Sequence, residues 1–266
     1  MKLYSHSQLS TFEQCQLKFK FKYIDKLEPD IKNTIESFLG KKVHEVLEWL
    51  YIEVSRGKIP ELDEVIKNYA EFWNRDYNLD IKIIKEENSK DYYLNKGLRF
   101  LINYYTKNYP FNDNTIDIEK KIFINFDKEK DYSIIGFIDR LTYDNNSNIF
   151  EIHDYKTSSS LKSQEELDKD RQLALYSIGI KELFGKDSKV SLVWHFLDFN
   201  EKITSQRTDE ELERLKEDIK KLIKKIETTH DFKPHPSILC DWCEFQSYCP
   251  VKNKRNFREK QAELNF

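Results

Sequence analysis

Glycine and proline are scarce here, six of each in 266 residues, and methionine occurs once. No apolar run approaches the ~20 residues of a bilayer crossing, because charged residues make up 34% of the chain and interrupt every run early. A membrane-spanning class is therefore not expected. Nor is there a Gly-x-x-x-x-Gly-Lys-Ser/Thr loop to cradle nucleotide phosphates, which excludes a helicase motor of that type. An excess of positive charge is missing too: 44 Lys+Arg stand against 47 Asp+Glu, a formal charge of −3. With no broad positive field, any nucleic acid must be gripped locally. The opening MKLYSHSQLSTF lacks the basic, apolar and small-residue regions of a secretory signal, so the expected compartment is the cytoplasm. Thiols stay reduced there, and cysteines more often hold metal than form disulfides.

What is present suffices for a buried core: 39% apolar and 14% aromatic residues. The first third reads as helical. Ser7 or Thr11 could cap a helix running into the basic and aromatic FKFKYI, and residues 40–54 place Val43, Val46, Leu47, Leu50 and Val54 at helical spacing. A second helical pattern covers 92–105. From Thr115 the period falls to two, with strands expected in TIDIEKKIFINF, YSIIGFIDRLTY and NIFEIHDYKT. Helical spacing returns over 164–183, KVSLVWHFLDF reads as a further strand, and 209–229 as an amphipathic helix. The expected architecture is α/β, a sheet flanked by helices, in one domain over 1–266: a helical part (1–112), a core (113–200), and a C-terminal helix with a Cys-rich clasp (201–266).

Two constellations carry chemistry. Cys240, Cys243 and Cys249 crowd the C-terminus while Cys15 stands alone near the N-terminus. Four thiolates satisfy either a tetrahedral zinc or an iron–sulfur cluster, provided the fold brings Cys15 to the other three. The second lies in IFEIHDYKT, where alternation sends Asp154 and Lys156 to one face and Tyr155 to the other. Asp139 shares its face with apolar Ile135 and Phe137, and an ionised Asp there is costly to bury unless paired or metal-bound. Two carboxylates on adjacent strands suit Mg²⁺ or Mn²⁺. His153 and His195 read as packed or hydrogen-bonded, Glu151 lies on the wrong face of its strand, and Glu119 is left open between a solvated and a functional acid. KFKFKY serves either packing or nucleic-acid binding.

Asp139, followed by Asp154-Tyr155-Lys156, resembles the active site of the PD-(D/E)xK nucleases and, within them, the RecB-like branch. His44 in GKKVHEVLE resembles that branch's helix histidine, and Gln172 and Tyr176 in RQLALY its Gln-x-x-x-Tyr motif. The two ends, SQLSTFEQCQLKFKFKYI and FKPHPSILCDWCEFQSYCP, resemble those of its iron–sulfur members, including AddB nuclease domains and CRISPR-associated exonucleases. The resemblance implies a restriction-endonuclease-like mixed sheet with a helical insertion and a C-terminal iron–sulfur clasp. It implies that Cys15, Cys240, Cys243 and Cys249 hold a [4Fe–4S] cluster, and that His44, Asp139, Asp154 and the Tyr155 carbonyl hold Mg or Mn. Lys156 would then assist the attacking water, with Gln172 and Tyr176 positioning DNA. The expected activity is a DNA nuclease, a single-strand exonuclease of CRISPR adaptation (antiviral defence) or DNA repair, acting alone or with partner proteins of those systems. Two other classes compete: a non-catalytic iron–sulfur scaffold that binds DNA ends, and a zinc-ribbon interaction protein.

Overall fold

The computed structural model describes residues 2–85, 87–125 and 132–252. Phe126, which closes the first strand pattern, and residues 253–266 of the clasp region lie outside them. The chain opens with β1 (Lys2–Ser5), α1 (His6–Gln14), α2 (Gln16–Phe19) and a π-helical turn at Lys20–Ile24. The α1 cap is Ser5, not Ser7 or Thr11, because Ser5 and Gln8 form a reciprocal capping box. Next come β2 (Asn33–Thr34), α3 (Ile35–Ser55), α4 (Leu62–Asp76), β3 (Ile81–Lys82) and α5 (Lys90–Asn108). The core strands are β4 (Thr115–Asn125), β5 (Tyr132–Asp144) and β6 (Ile149–Lys156). They are followed by α6 (Gln164–Asp168), α7 (Arg171–Phe184), β7 (Lys189–Phe196), β8 (Glu201–Gln206) and α8 (Asp209–Thr228). The single helix expected over 164–183 is thus two, because Asp170 caps α7 by accepting from the Gln172 amide.

The sheet is mixed, in the order β1-β5-β6-β7-β8, with β4 on the other edge of β5. Helices cover both faces. On one, α1, α7 and α8 bury Leu9, Phe12, Leu173, Ile178, Leu212 and Ile219 against β5–β7. On the other, α3, α4 and α5 bury Val43, Leu47, Tyr69, Trp73 and Phe100. No described helix is long and apolar enough to cross a membrane.

One detail of pairing positions everything that follows. β4 occupies one edge of β5 from Ser133 to Thr142. The opposite edge is shared: β1 pairs with Tyr132–Ile135, and β6 with Arg140–Asp144. Residues 136–139 face a gap into which the carboxyl ends of β1 and β6 both run. Beside the gap both strands of the β4–β5 ribbon change faces. Ile122 joins the α7-side core but Ile118 the α3-side core; Ile138 and Leu141 pack toward α7, whereas Asp139 and Arg140 between them meet His44 and Tyr51 of α3. The switch is marked by Glu119, opposite Asp139, whose φ of 49° is a left-handed conformation that costs a non-glycine residue energy.

Candidate active site

His44, Glu119 and Asp139 converge at this switch, each offering a ligand atom within 4.8 Å of the others. His44 comes from the middle of α3, started by Thr34, whose side chain accepts the Ser37 amide. Its Nε2 lies 2.8 Å from the Tyr155 carbonyl oxygen, which can only accept, so Nε2 carries the proton. Nδ1 is left facing Asp139 Oδ2 at 3.5 Å. Asp139 Oδ2 also accepts the Tyr155 amide at 2.8 Å, a donor freed where β6 leaves β5. Burial, reinforced by the Asp154 carboxylate and opposed by His44, pushes the Asp139 carboxyl up to about 7. Burial and then Glu48 also raise Glu119. These half-buried acids need a cation to stay ionised together, and a hard divalent ion fits a carboxylate–carboxylate–imidazole set.

Asp154 and Lys156 project toward α7, as alternation requires. Asp154 lies outside the three-ligand group. Its Oδ2 is 2.7 Å from the Lys156 ammonium as an ion pair, yet accepts no well-directed hydrogen bond although buried. Burial works against charge on Lys156, but Asp154 and Asp139 outweigh it and its pKa ends above the usual value. Lys156 donates to Gln172 Oε1 (3.2 Å), and Gln172 Nε2 donates to Tyr176 Oη (3.4 Å). Tyr176 is buried and packs on Gly136, where an added Cβ would stand 2.2 Å from its ring. Tyr176 thus holds Gln172, which in turn holds Lys156.

Tyr155 turns its ring away, into a buried network. Arg140 donates to Tyr155 Oη (3.1 Å) and to Thr115 Oγ1 (3.1 Å), pairs with Asp113, and lies 4.0 Å over the Tyr51 ring. His153 Nδ1 and His195 Nε2 are 2.9 Å apart, and burial lowers both pKa values well below normal. Two neutral, bonded histidines agree with their reading as packed residues. Glu119, left open by the sequence between a solvated and a functional acid, is turned inward by a left-handed backbone that alternation cannot foresee.

The four cysteines line one cavity together with Phe21, Pro234 and Pro236. The His235 amide donates to Cys15 Sγ and the Ser237 amide to Cys240 Sγ, both at 3.4 Å. No three of the sulfurs lie within 4.8 Å of one another. In KFKFKY, Phe19 and Phe21 are buried, Lys18 and Lys22 pair with Glu244, and Lys20 with Asp25. Packing, not free cations, occupies this segment.

The model of the PD-(D/E)XK nuclease superfamily matches residues 4–250. A solved structure from Eubacterium rectale, described as a candidate exonuclease, is similar at TM-score 0.50 and 12% identity, over 91% of this chain and 92% of that one. That likeness concerns the fold. Another solved structure, SSO0001, aligns at TM-score 0.35 and 19% identity over 80% of this chain and 94% of its own. No curated protein matches the chain in sequence.

Proposed function

The chain belongs to the PD-(D/E)XK nuclease superfamily, and from that premise we propose that it is a Mg²⁺- or Mn²⁺-dependent deoxyribonuclease of the RecB-like branch, cutting single-stranded DNA from a free end. The observation that carries this is the meeting of His44, Glu119 and Asp139 with the Asp154–Lys156 pair at the gap beside β5. His44 Nδ1, Asp139 and Glu119 would hold the ion, with Asp154 and a remaining lone pair of the Tyr155 carbonyl available to complete its shell. When bound, such an ion lowers the pKa of water and stabilises charge developing on phosphate oxygens.

The chain's own groups do the rest. Lys156, kept as an ammonium by Asp154, is no general base; it donates to the nonbridging phosphate oxygens as charge builds there. Gln172 fixes where that ammonium points, and Tyr176 fixes Gln172. Water adds across one P–O bond, leaving a phosphate monoester and a free hydroxyl.

For the four cysteines lining one cavity we propose a structural [4Fe–4S] cluster rather than zinc. A tetrahedral zinc with Zn–S of about 2.3 Å needs sulfurs roughly 3.8 Å apart, closer than this chain sets any three. A cluster is a larger body, and amide hydrogen bonds to its thiolates are a usual way of tuning it. The setting is cytoplasmic, in CRISPR adaptation or in DNA repair and recombination.

The test is cleavage of end-labelled single strands with Mn²⁺. Lys156→Ala is expected to lose roughly 10²-fold in rate, the scale of removing one preorganised electrostatic group, while DNA binding in EDTA is retained. Cleavage by Lys156→Ala at the wild-type rate would refute this active site. DNA binding by a wild-type protein that never cleaves would favour the non-catalytic scaffold.

A further inference from the structure

The face switch beside Asp139 leaves one stretch of sheet uncovered, and its composition is unusual for a solvated surface. Beyond the switch, Phe137 of β5 is 49% exposed and Phe123 of β4 is 45% exposed. In register, Glu119 stands opposite Asp139, Lys121 opposite Phe137, and Phe123 opposite Ile135. Alternation puts Lys121, Phe123, Ile135 and Phe137 on one face, continuous with the acids that would hold the cation. Lys121 is exposed, makes no ion pair among the described residues, and holds its ammonium 5.0 Å from the Phe123 ring centroid.

Two exposed rings and an unpaired cation, in line with a cluster of acids that suits a divalent ion, are what a single-stranded polyanion with flat bases requires. A ring accepts the π-face of any base, and an ammonium meets a phosphate without reading sequence. Neighbouring positions two apart on a strand are separated by roughly 7 Å, so a ring at Phe137 would meet a nucleotide flanking the bond to be cut, and a ring at Phe123 the next one along.

We propose that the exposed face of the β4–β5 ribbon is a base-stacking platform: Phe137 and then Phe123 receive successive bases of a single-stranded nucleic acid on one side of the scissile bond, and Lys121 meets the phosphate between them. This rests on the nuclease reading and adds to it how the strand is held without a broad positive surface. Grip by stacking also fits a protein whose net charge is −3.

The experiment scans a single abasic site along an end-labelled single strand, measuring affinity in EDTA and cleavage with Mn²⁺. For the wild type, one abasic position near the cut is expected to weaken binding by about tenfold, the scale of one lost base–aromatic stack. Phe137→Leu, which keeps an apolar side chain on the sheet, should bind intact strands about tenfold more weakly and lose that positional penalty. Phe123→Leu should lose the penalty at the adjacent position. Lys156→Ala should keep both penalties in binding while cleaving roughly 10²-fold more slowly. A wild type that cleaves with no abasic penalty, or a Phe137→Leu variant with an undiminished one, overturns the platform and leaves the nuclease reading standing. A wild type that neither binds nor cleaves removes the nuclease reading itself. Light scattering supplies the remaining arm: a dimer that Phe137→Leu turns into monomer assigns the rings to contact between copies, and overturns the proposal.

Discussion

Asp139 is caught between burial, which favours its protonated form, and the proposed role as a metal ligand, which needs it ionised. Its native pKa of about 7 lies above the ~3.9 of an unfolded chain, so the native state binds the extra proton between those values. Linkage then gives the sign: without a divalent ion, stability falls as pH rises from about 4 through 7. Thermal melts in EDTA should show that decline in the wild type, and Asp139→Asn should flatten it; an unchanged slope in the variant would place the titration elsewhere. The same proton competes with the cation, so Mn²⁺ affinity should drop by up to about tenfold per pH unit below 7. Glu119→Gln removes a second charge from the set and should weaken Mn²⁺ by roughly tenfold in calorimetric titration at pH 8, whereas equal affinity would exclude Glu119 from the site. At this scale the sequence was partly readable. The alternation of Asp154, Tyr155 and Lys156 follows from strand geometry alone, but the inward turn of Glu119 depends on one backbone angle that no side-chain pattern encodes.

Among the elements, the β4–β5 ribbon is where local rules and tertiary demands part. Amphipathic stripes made α3, α5 and α8 legible to within a few residues. Strands β1 and β8 are too short and too exposed at their outer residues to show alternation. Helix α4 buries only Val65, Tyr69 and Trp73, a stripe too sparse to stand out in a charged segment. The ribbon's change of face was invisible because its cause is long-range: α3 claims Asp139 and Arg140, while α7 claims Gly136 and Ile138. Gly136→Ala tests the second claim. An added Cβ 2.2 Å from the Tyr176 ring forces that ring to move, which should cost about 1–3 kcal/mol as overpacking. The loss should appear as a lower melting temperature together with slower cleavage, since Tyr176 is the support of Gln172 and Lys156. Full activity at a reduced melting temperature would show that the support is dispensable to chemistry.

Taken as a whole, the molecule holds its N-terminal segments against described segments late in the sequence. The Leu17 amide bonds to the Lys233 carbonyl, Asp30 binds the Ser247 amide and hydroxyl, and Lys2 pairs with Glu227. Anaerobically purified protein should be brown with about four irons per chain; stoichiometric zinc instead would leave a zinc staple. Cys15→Ser should lower the melting temperature by on the order of 10 °C, because metal binding is coupled to folding, with a smaller effect on activity per folded molecule. The juncture also bears on how the chain is made. Synthesis is vectorial, and at about 5–20 residues per second a ribosome takes roughly 10–50 s to pass from the first partner segment to the last. Throughout that interval Lys2, Leu17 and Asp30 have emerged without these late partners. The contacts that close these N-terminal segments onto the rest of the molecule therefore form only after most of the chain has been made.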